Sequence, residues 1–293
     1  APKTQDLYIL DTNMVRKLSK DGVITTVAGA SEAGFRDGEP MQARFNSLSD
    51  CAVAENGNIY LADYRNRRIR KLSAIEGIVS TVVGTGNPGR KDGVATEAEL
   101  VRVKSLLFIT PEQLYFTDSC WIRILENGVV STLNAYQSHY VSAQGGHQYN
   151  GQEYAYDGSI LDKSALFGGV LTLSNGQNSI YISDVQQKQL RRLNSDQTVD
   201  SLLKRNAEGV SYGSQVNDVD FLPDKNLLVI VAGNRLAVMS TEDKEHHVPL
   251  LSPSTSPTDA PFLSVDEVTV GSQNIVYLLD RERNKIRMIR FLD

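Results

Sequence analysis

Short apolar runs alternate with polar turn clusters along all 293 residues, and the rhythm is clearest between Gly29 and Gly84. Four runs there have strand composition: Asp50 to Ala54, Asn58 to Ala62, Arg68 to Leu72 and Ile78 to Val83. They are separated by Asn56-Gly57, by Asp63 to Asn66 and by Glu76-Gly77, where Gly and Asn supply the positive φ that tight hairpins need. The block predicts a four-stranded antiparallel meander. Such a sheet has two faces to cover, so a repeat of roughly 40 to 55 residues predicts copies packed face to face around an axis, as propeller blades are.

The remaining runs follow this template. Residues 6 to 28 give three strands, LYIL, MVRKL and VITTVAG, a blade without its innermost strand. A third blade runs from about Thr85 to Leu133, with SLLFI, LYFTD, WIRIL and GVVSTL. A fourth opens with an insertion, 134 to 163, rich in Tyr, and continues through VLTLS, IYISD, QLRRL and TVDSLL. A fifth spans about Lys204 to Leu251, and a sixth ends the chain as VDEVTV, NIVYLLD and KIRMIRFL, without a fourth strand. The expectation is an all-β, six-bladed β-propeller of four-stranded antiparallel blades with incomplete terminal blades. A seven-bladed ring completed by residues outside this sequence is the alternative.

Val27 to Asn46 reads V-A-G-x-x-x-x-G-x-x-D-G-x-x-x-x-A-R-F-N, and Gly57 to Leu72 reads G-N-I-Y-x-A-D-x-x-N-x-R-I-R-K-L. Together they closely resemble the NHL-repeat β-propellers. The resemblance implies a single propeller domain over residues 1–293, expected to be part of a longer chain. Propellers of this kind serve as protein-binding modules, RNA-binding modules and, in some relatives, enzymes, so the fold does not name the activity.

The formal net charge of −5 gives no global field to attract nucleic acid or an anionic membrane surface. No apolar run reaches the roughly 18 residues of a membrane span, and APKTQDLY has no signal-peptide pattern. Cys51 and Cys120 occupy non-equivalent places in neighbouring blades, and no Asn-x-Ser/Thr acceptor is present. This leans toward a cytosolic rather than a secreted or luminal protein.

An Asp ends the second strand as Asp11, Asp63, Asp118, Asp184 and Asp280, each followed by a third-strand Arg: Arg16, Arg70, Arg123, Arg191 and Arg287. A repeated pair of this kind reads as a structural fastening. Aligned on these Asp positions, the first strands carry Asp50, Ser105, Val170, Asp220 and Glu267 at one level. Asp50, Asp220 and Glu267 would line a central channel and bind a divalent cation such as Ca²⁺, as in the calcium-dependent lactonases; solvated carboxylates are the plainer reading. The four His are not distributed like the zinc ligands of amidating-lyase relatives, and no G-x-S-x-G elbow is present, so an enzyme and a resident cofactor are not expected.

Loops joining one blade to the next emerge on the same face as the turns between second and third strands. On that face lie Arg36 and Arg90 in loops, Arg65, Arg67 and Arg281 in turns, and Tyr136, Tyr140, Tyr149, Tyr154 and Tyr156 in the insertion. Long connections on a rigid scaffold carry recognition, and Tyr gives contact area at low entropic cost. The expected function is a protein-binding module using this face. The alternatives are the channel-centred metal-dependent hydrolase and an RNA-binding propeller contacting phosphate through the same arginines.

Overall fold

The computed structural model describes residues 6–134, 158–159, 172–176, 179–184, 189–203, 216–232, 235–241, 247–251, 265, 267–271 and 273–291. The chain divides into two compact units, Ala1–Glu153 and Tyr154–Asp293, each holding three sheets.

In the first unit, sheet one comprises β1 (Leu7–Asp11), β2 (Met14–Leu18) and β3 (Ile24–Gly29). Sheet two is the meander β4 (Leu48–Val53), β5 (Ile59–Asp63), β6 (Arg68–Leu72) and β7 (Val79–Val83). Sheet three holds β8 (Gly93–Val94), β9 (Val103–Thr110), β10 (Gln113–Asp118), β11 (Trp121–Glu126) and β12 (Val129–Thr132), in spatial order β8-β12-β11-β10-β9. The four expected strands of sheet two fall within two residues of their positions. Asn127-Gly128, with φ of 51° and 74°, makes the β11–β12 hairpin of the kind that matches strand twist.

In the second unit, sheet four holds β13 (Gly158–Ser159), β14 (Leu173–Asn175), β15 (Ser179–Asp184), β16 (Gln189–Asn194) and β17 (Thr198–Leu203), in order β13-β17-β16-β15-β14. Sheet five is β18 (Val216–Leu222), β19 (Leu227–Ala232), β20 (Arg235–Ser240) and β21 (His247–Leu251). Sheet six is β22 (Glu267–Val270), β23 (Ile275–Asp280) and β24 (Lys285–Arg290). The described residues thus give six sheets, with the first and the last three-stranded as expected.

The sheets bury both faces because their strands are apolar on both. In sheet five, Leu228, Ile230 and Ala232 pack toward Tyr181 and Leu190 of sheet four. The alternate residues Val229 and Val231 pack toward Val268, Val276 and Leu278 of sheet six. Sheet two does the same, turning Ile59 and Leu61 toward Val15 and Ala28, and Ala62 toward Leu106 and Phe116. Each such Val or Leu contributes about 1.5–3 kcal/mol, so the sheet interfaces are the core.

One expectation needs correction. The stretch 134–163 is not insertion throughout, because β13 pairs β17 just as β8 pairs β12. Gly93 and Gly158 each follow an Asp, and Gly38, which also follows one, bridges Val79 in sheet two. Asp157-Gly158 is therefore the connecting-loop repeat of sheet four, and the added residues end before it.

Candidate functional site

The loop face of the first unit is built around two buried arginines. Arg70 on β6 is fully buried, and all five of its N–H donors are used. Nη1 donates to Asp63 Oδ2 at 2.8 Å and to the Arg44 carbonyl at 3.1 Å; Nη2 donates to the Arg36 carbonyl at 2.8 Å. Nε and Nη2 both reach Asp37 Oδ1. Asp37 Oδ2 accepts from the Thr81 N–H of β7 at 3.1 Å, so one loop carboxylate ties the third strand to the fourth.

Sheet three repeats the device. Arg123 Nη1 donates to Asp118 Oδ2 at 2.9 Å and the Glu99 carbonyl at 2.8 Å, and Nη2 to the Lys91 carbonyl at 2.9 Å and Asp92 at 2.7 Å. Asp92 also accepts from Thr132 N–H at 3.0 Å. Burial pushes the carboxyls of Asp63 and Asp118 up, opposed by their arginines and by N–H donors, among them Asn46 for Asp63 and Val101 and Arg102 for Asp118. The Asp-Arg repeat is the fastening its recurrence implied. Its unforeseen partner is the loop Asp, visible in sequence as the recurrent Asp-Gly. Gripped by their own carbonyls, the loops between β3 and β4 and between β7 and β9 are held rigid.

On this base stands a surface the sequence did not single out. Phe35 is 49% exposed, and Arg68 lies 3.9 Å from its ring centroid. Arg68 Nη1 donates to the Asn66 carbonyl at 2.9 Å and Nη2 to that of Thr85, which bridges the two loops. Desolvation, and then the neighbouring Arg70, push Arg68 below the ordinary arginine value. Gly86 sits here at φ +91°, in the left-handed region that favours glycine, and its lack of a Cβ leaves room for the Arg68 guanidinium. Met41, 58% exposed, sits on the adjoining turn, where Gln42 accepts from Arg36 Nη2 at 3.0 Å.

The expected arginines are therefore not all unengaged. Arg36 is exposed but bound to Gln42, and the exposed Arg90 lies over the Trp121 ring at 5.1 Å. Arg65 is exposed, with its backbone N–H on the Asn46 carbonyl at 3.0 Å, and Arg67 is half-buried at φ 53°. Arg281 is exposed in the β23–β24 turn of the second unit. Tyr136, Tyr140, Tyr149, Tyr154 and Tyr156 lie outside the described residues.

The first-strand acids have a different job from the one sequence suggested. Asp50 accepts from Cys51 N–H at 2.7 Å and, across to the next sheet, from Leu106 N–H at 2.8 Å. Asp218, which the sequence alignment passed over, makes the same pair with Val219 N–H at 2.9 Å and Val268 N–H at 2.8 Å. Asp220 accepts from Ser174 Oγ at 2.6 Å, Phe221 N–H at 2.8 Å and Val270 N–H at 2.7 Å. Adjacent inner strands share no ladder, and these carboxylates satisfy N–H groups that would otherwise lack an acceptor. Burial pushes Asp218 well up and Asp220 up.

Nor do the three expected ligands share a level. Asp220 pairs with Val229, whereas the exposed Glu267 pairs with Leu279 beside Asp280. The slip arises because sheet five lacks the second-strand Asp used as marker. Among the described residues, no three His, Cys, Asp or Glu side chains group as metal ligands. Cys51 and Cys120 are not bridged to each other.

No protein-family model matches the chain. It is 28% identical to mouse Teneurin-3 over 142 residues, 43% of this chain and 5% of that protein. It is 40% identical to chicken NHL repeat-containing protein 2 over 96 residues, 32% of this chain and 13% of that protein. The chain thus spans a small part of the length of these relatives. Among solved structures, a chain of a nidogen/laminin complex superposes with a TM-score of 0.63 at 12% identity, covering 97% of this chain and 89% of that one. Virginiamycin B lyase of Staphylococcus aureus gives 0.57 at 12% identity, covering 100% and 83%. The fold is that of a β-propeller. Its repeats are of the NHL type, as the Val27–Asn46 and Gly57–Leu72 motifs implied. Among the described residues no helix is long and apolar enough to cross a membrane.

Proposed function

We propose that this propeller is a non-enzymatic protein-interaction module that binds its partner through the loop face of the first unit, centred on Phe35, Met41, Arg36 and Arg65. The observation that carries this reading is the half-exposed Phe35 ring, backed by Arg68 on loops that Arg70 and Arg123 hold rigid. A preordered aromatic with arginines around it has the composition of an interface hot spot, and rigidity lowers the entropy lost on binding. The superposition on a chain crystallised in a nidogen/laminin complex fits the same use of the fold. The lyase superposition at 12% identity shares the fold, and function rests on the site.

The test is quantitative cross-linking from the source extract with the chain as bait, comparing wild type with a Phe35→Asp/Arg65→Glu variant of unchanged circular dichroism. The reading requires a polypeptide that cross-links to the loop face and is lost in the variant. Equal capture by both proteins overturns it. So does capture of RNA with a steep salt dependence, or substrate turnover by the isolated chain.

A further inference from the structure

One aromatic–cation stack is built twice in the first unit, with its members exchanged. In sheet two the residue two before the loop Asp is Phe35, and the residue two before the buried Arg is Arg68. In sheet three those places hold Arg90 and Trp121. The backbone positions correspond, since Arg68 pairs with Asp63 as Trp121 pairs with Asp118. Sheet three turns the cation outward, with Arg90 5.1 Å from the centroid of a Trp121 ring that is 3% exposed. Sheet two turns the aromatic outward, with Phe35 half exposed over Arg68. Because the stack in sheet three holds with its ring sealed inside, the loops do not require an outward ring.

The cations around Phe35 are a second observation. Asn66 Nδ2 donates to the Gly34 carbonyl at 2.7 Å, which fastens the β5–β6 turn, with Arg65, against the backbone that carries Phe35 and Arg36. Arg65 is exposed, and neither it nor Arg67 has a side-chain hydrogen bond or ion pair among the described residues. Arg36 is held by the Gln42 amide and by no carboxylate. The two Asp of this loop and turn face inward, Asp37 to Arg70 and Thr81, and Asp63 to Arg70, Asn46 and Asn66. The face thus offers a fixed ring beside guanidinium groups that no carboxylate of the unit engages.

Resting on the protein-interaction reading above, we propose that the partner presents an extended acidic segment to this face. An apolar side chain of the segment packs on the Phe35 ring, and a carboxylate close to it pairs with Arg65 or Arg36. The planar guanidinium matches a carboxylate with two parallel bonds, so the pair selects acid over amide by geometry as well as charge. Nucleic acid fits this face less well, because single strands are held by several stacked rings along an unbroken cationic track. Phe35 is the one aromatic among the large exposed apolar side chains of the described residues, and Glu32 and Glu39 stand exposed on its own loop.

The experiment selects random peptides displayed on phage against the whole chain and remakes the selected sequences as fluorescent peptides for anisotropy. Enrichment should be for Asp or Glu within a few residues of Leu, Phe or Pro. Changing the acids of a selected peptide to their amides should weaken binding about tenfold, through loss of charge-assisted bonds. Phe35→Ala and Arg65→Gln in the chain should each weaken it about as much, with circular dichroism unchanged. Selected peptides without acids, equal binding of the amide peptides, or binding indifferent to both variants would overturn the proposal. Competition by oligouridine with a steep salt dependence would give the site to nucleic acid and overturn the choice of partner. The two readings fail separately. If a polypeptide of the extract cross-links to the loop face while the selected peptides are neutral or basic, the acidic class falls and the interaction module stands. If neither a polypeptide nor a peptide binds, both fall.

Discussion

Replacing Arg70 by Met keeps most of the side chain's length and removes its charge and all five donors. The carboxylate of Asp63 is then left in a fully buried site with only Asn46 N–H and Asn66 Nδ2 as donors, at 2.8 Å each. The carbonyls of Arg36 and Arg44 each lose one of two donors, and one oxygen of Asp37 loses its two bonds to the guanidinium. Breaking a buried ion pair from one side costs about 3–5 kcal/mol, roughly two to three and a half powers of ten in the unfolding equilibrium. Arg16→Met is the control. Arg16 faces Asp11 at 3.2 Å in the same sequence motif, but the side chains are 33% and 50% exposed, so the loss should be about 0–1 kcal/mol. Both arginines lie in the unit that also holds Trp121, the sole tryptophan, which is buried and reports urea unfolding by fluorescence. The Arg70→Met loss should also grow with pH. Without Arg70, burial holds the Asp63 carboxyl further above its unfolded value of about 3.9, so the folded variant gains a proton at low pH and loses that contribution as pH rises through the raised value. Costs for the two variants within about 1 kcal/mol of each other, or an Arg70→Met loss that shrinks toward neutral pH, would refute the reasoning.

Gly84→Ala should destabilise the first unit by about 1–3 kcal/mol, because φ is +99° and the new Cβ would lie 2.5 Å from the Arg67 carbonyl oxygen; thermal unfolding checks it. Asp218→Asn should cost the second unit about 1–3 kcal/mol, since an amide nitrogen cannot accept from both Val219 and Val268. Wild-type Asp218 is raised by burial, so its contribution is present below its unfolded value and lost as pH rises through the folded one. The wild-type advantage over Asp218→Asn should therefore shrink as pH rises from the unfolded carboxylate value, read from denaturation midpoints across pH. Arg68→Ala should leave the fold intact at a cost of about 0.5–2 kcal/mol while exposing the second face of Phe35, measurable as faster hydrogen exchange in the loops on either side of Thr85.

Much of the site was legible only in part. Arg36, Arg65 and Arg90 are assigned to one loop face by strand parity alone, because alternating connections must emerge at alternate ends of a meander. Phe35 lies inside the Val27–Asn46 motif at a position that the pattern leaves unspecified. Its significance depends on Arg68 from another strand, 33 positions along, lying over its ring. The Asp-Gly of the loops belongs to the repeat motif, while its role as the second acceptor of a buried arginine needs the third dimension.

What the sequence by itself determined is the architecture: period-two strands, Asn-Gly turns and a repeated Asp-Arg pair admit no fold that leaves a two-sided apolar sheet uncovered. These are local rules, satisfied within a few residues or by translation from one repeat to the next. The tertiary structure alone decided which copies of a motif are buried and which are not. Arg16 and Arg70 occupy the same place in the same pattern, yet one is a third exposed and the other sealed, because Asp37 and the carbonyls of its loop close over Arg70. It also decided which inner-strand acids hold the next sheet, since Asp218 as well as Asp220 accepts from the N–H groups of the neighbouring first strand. Burial and register across sheets are properties of distant chain segments meeting, and no window of sequence contains them.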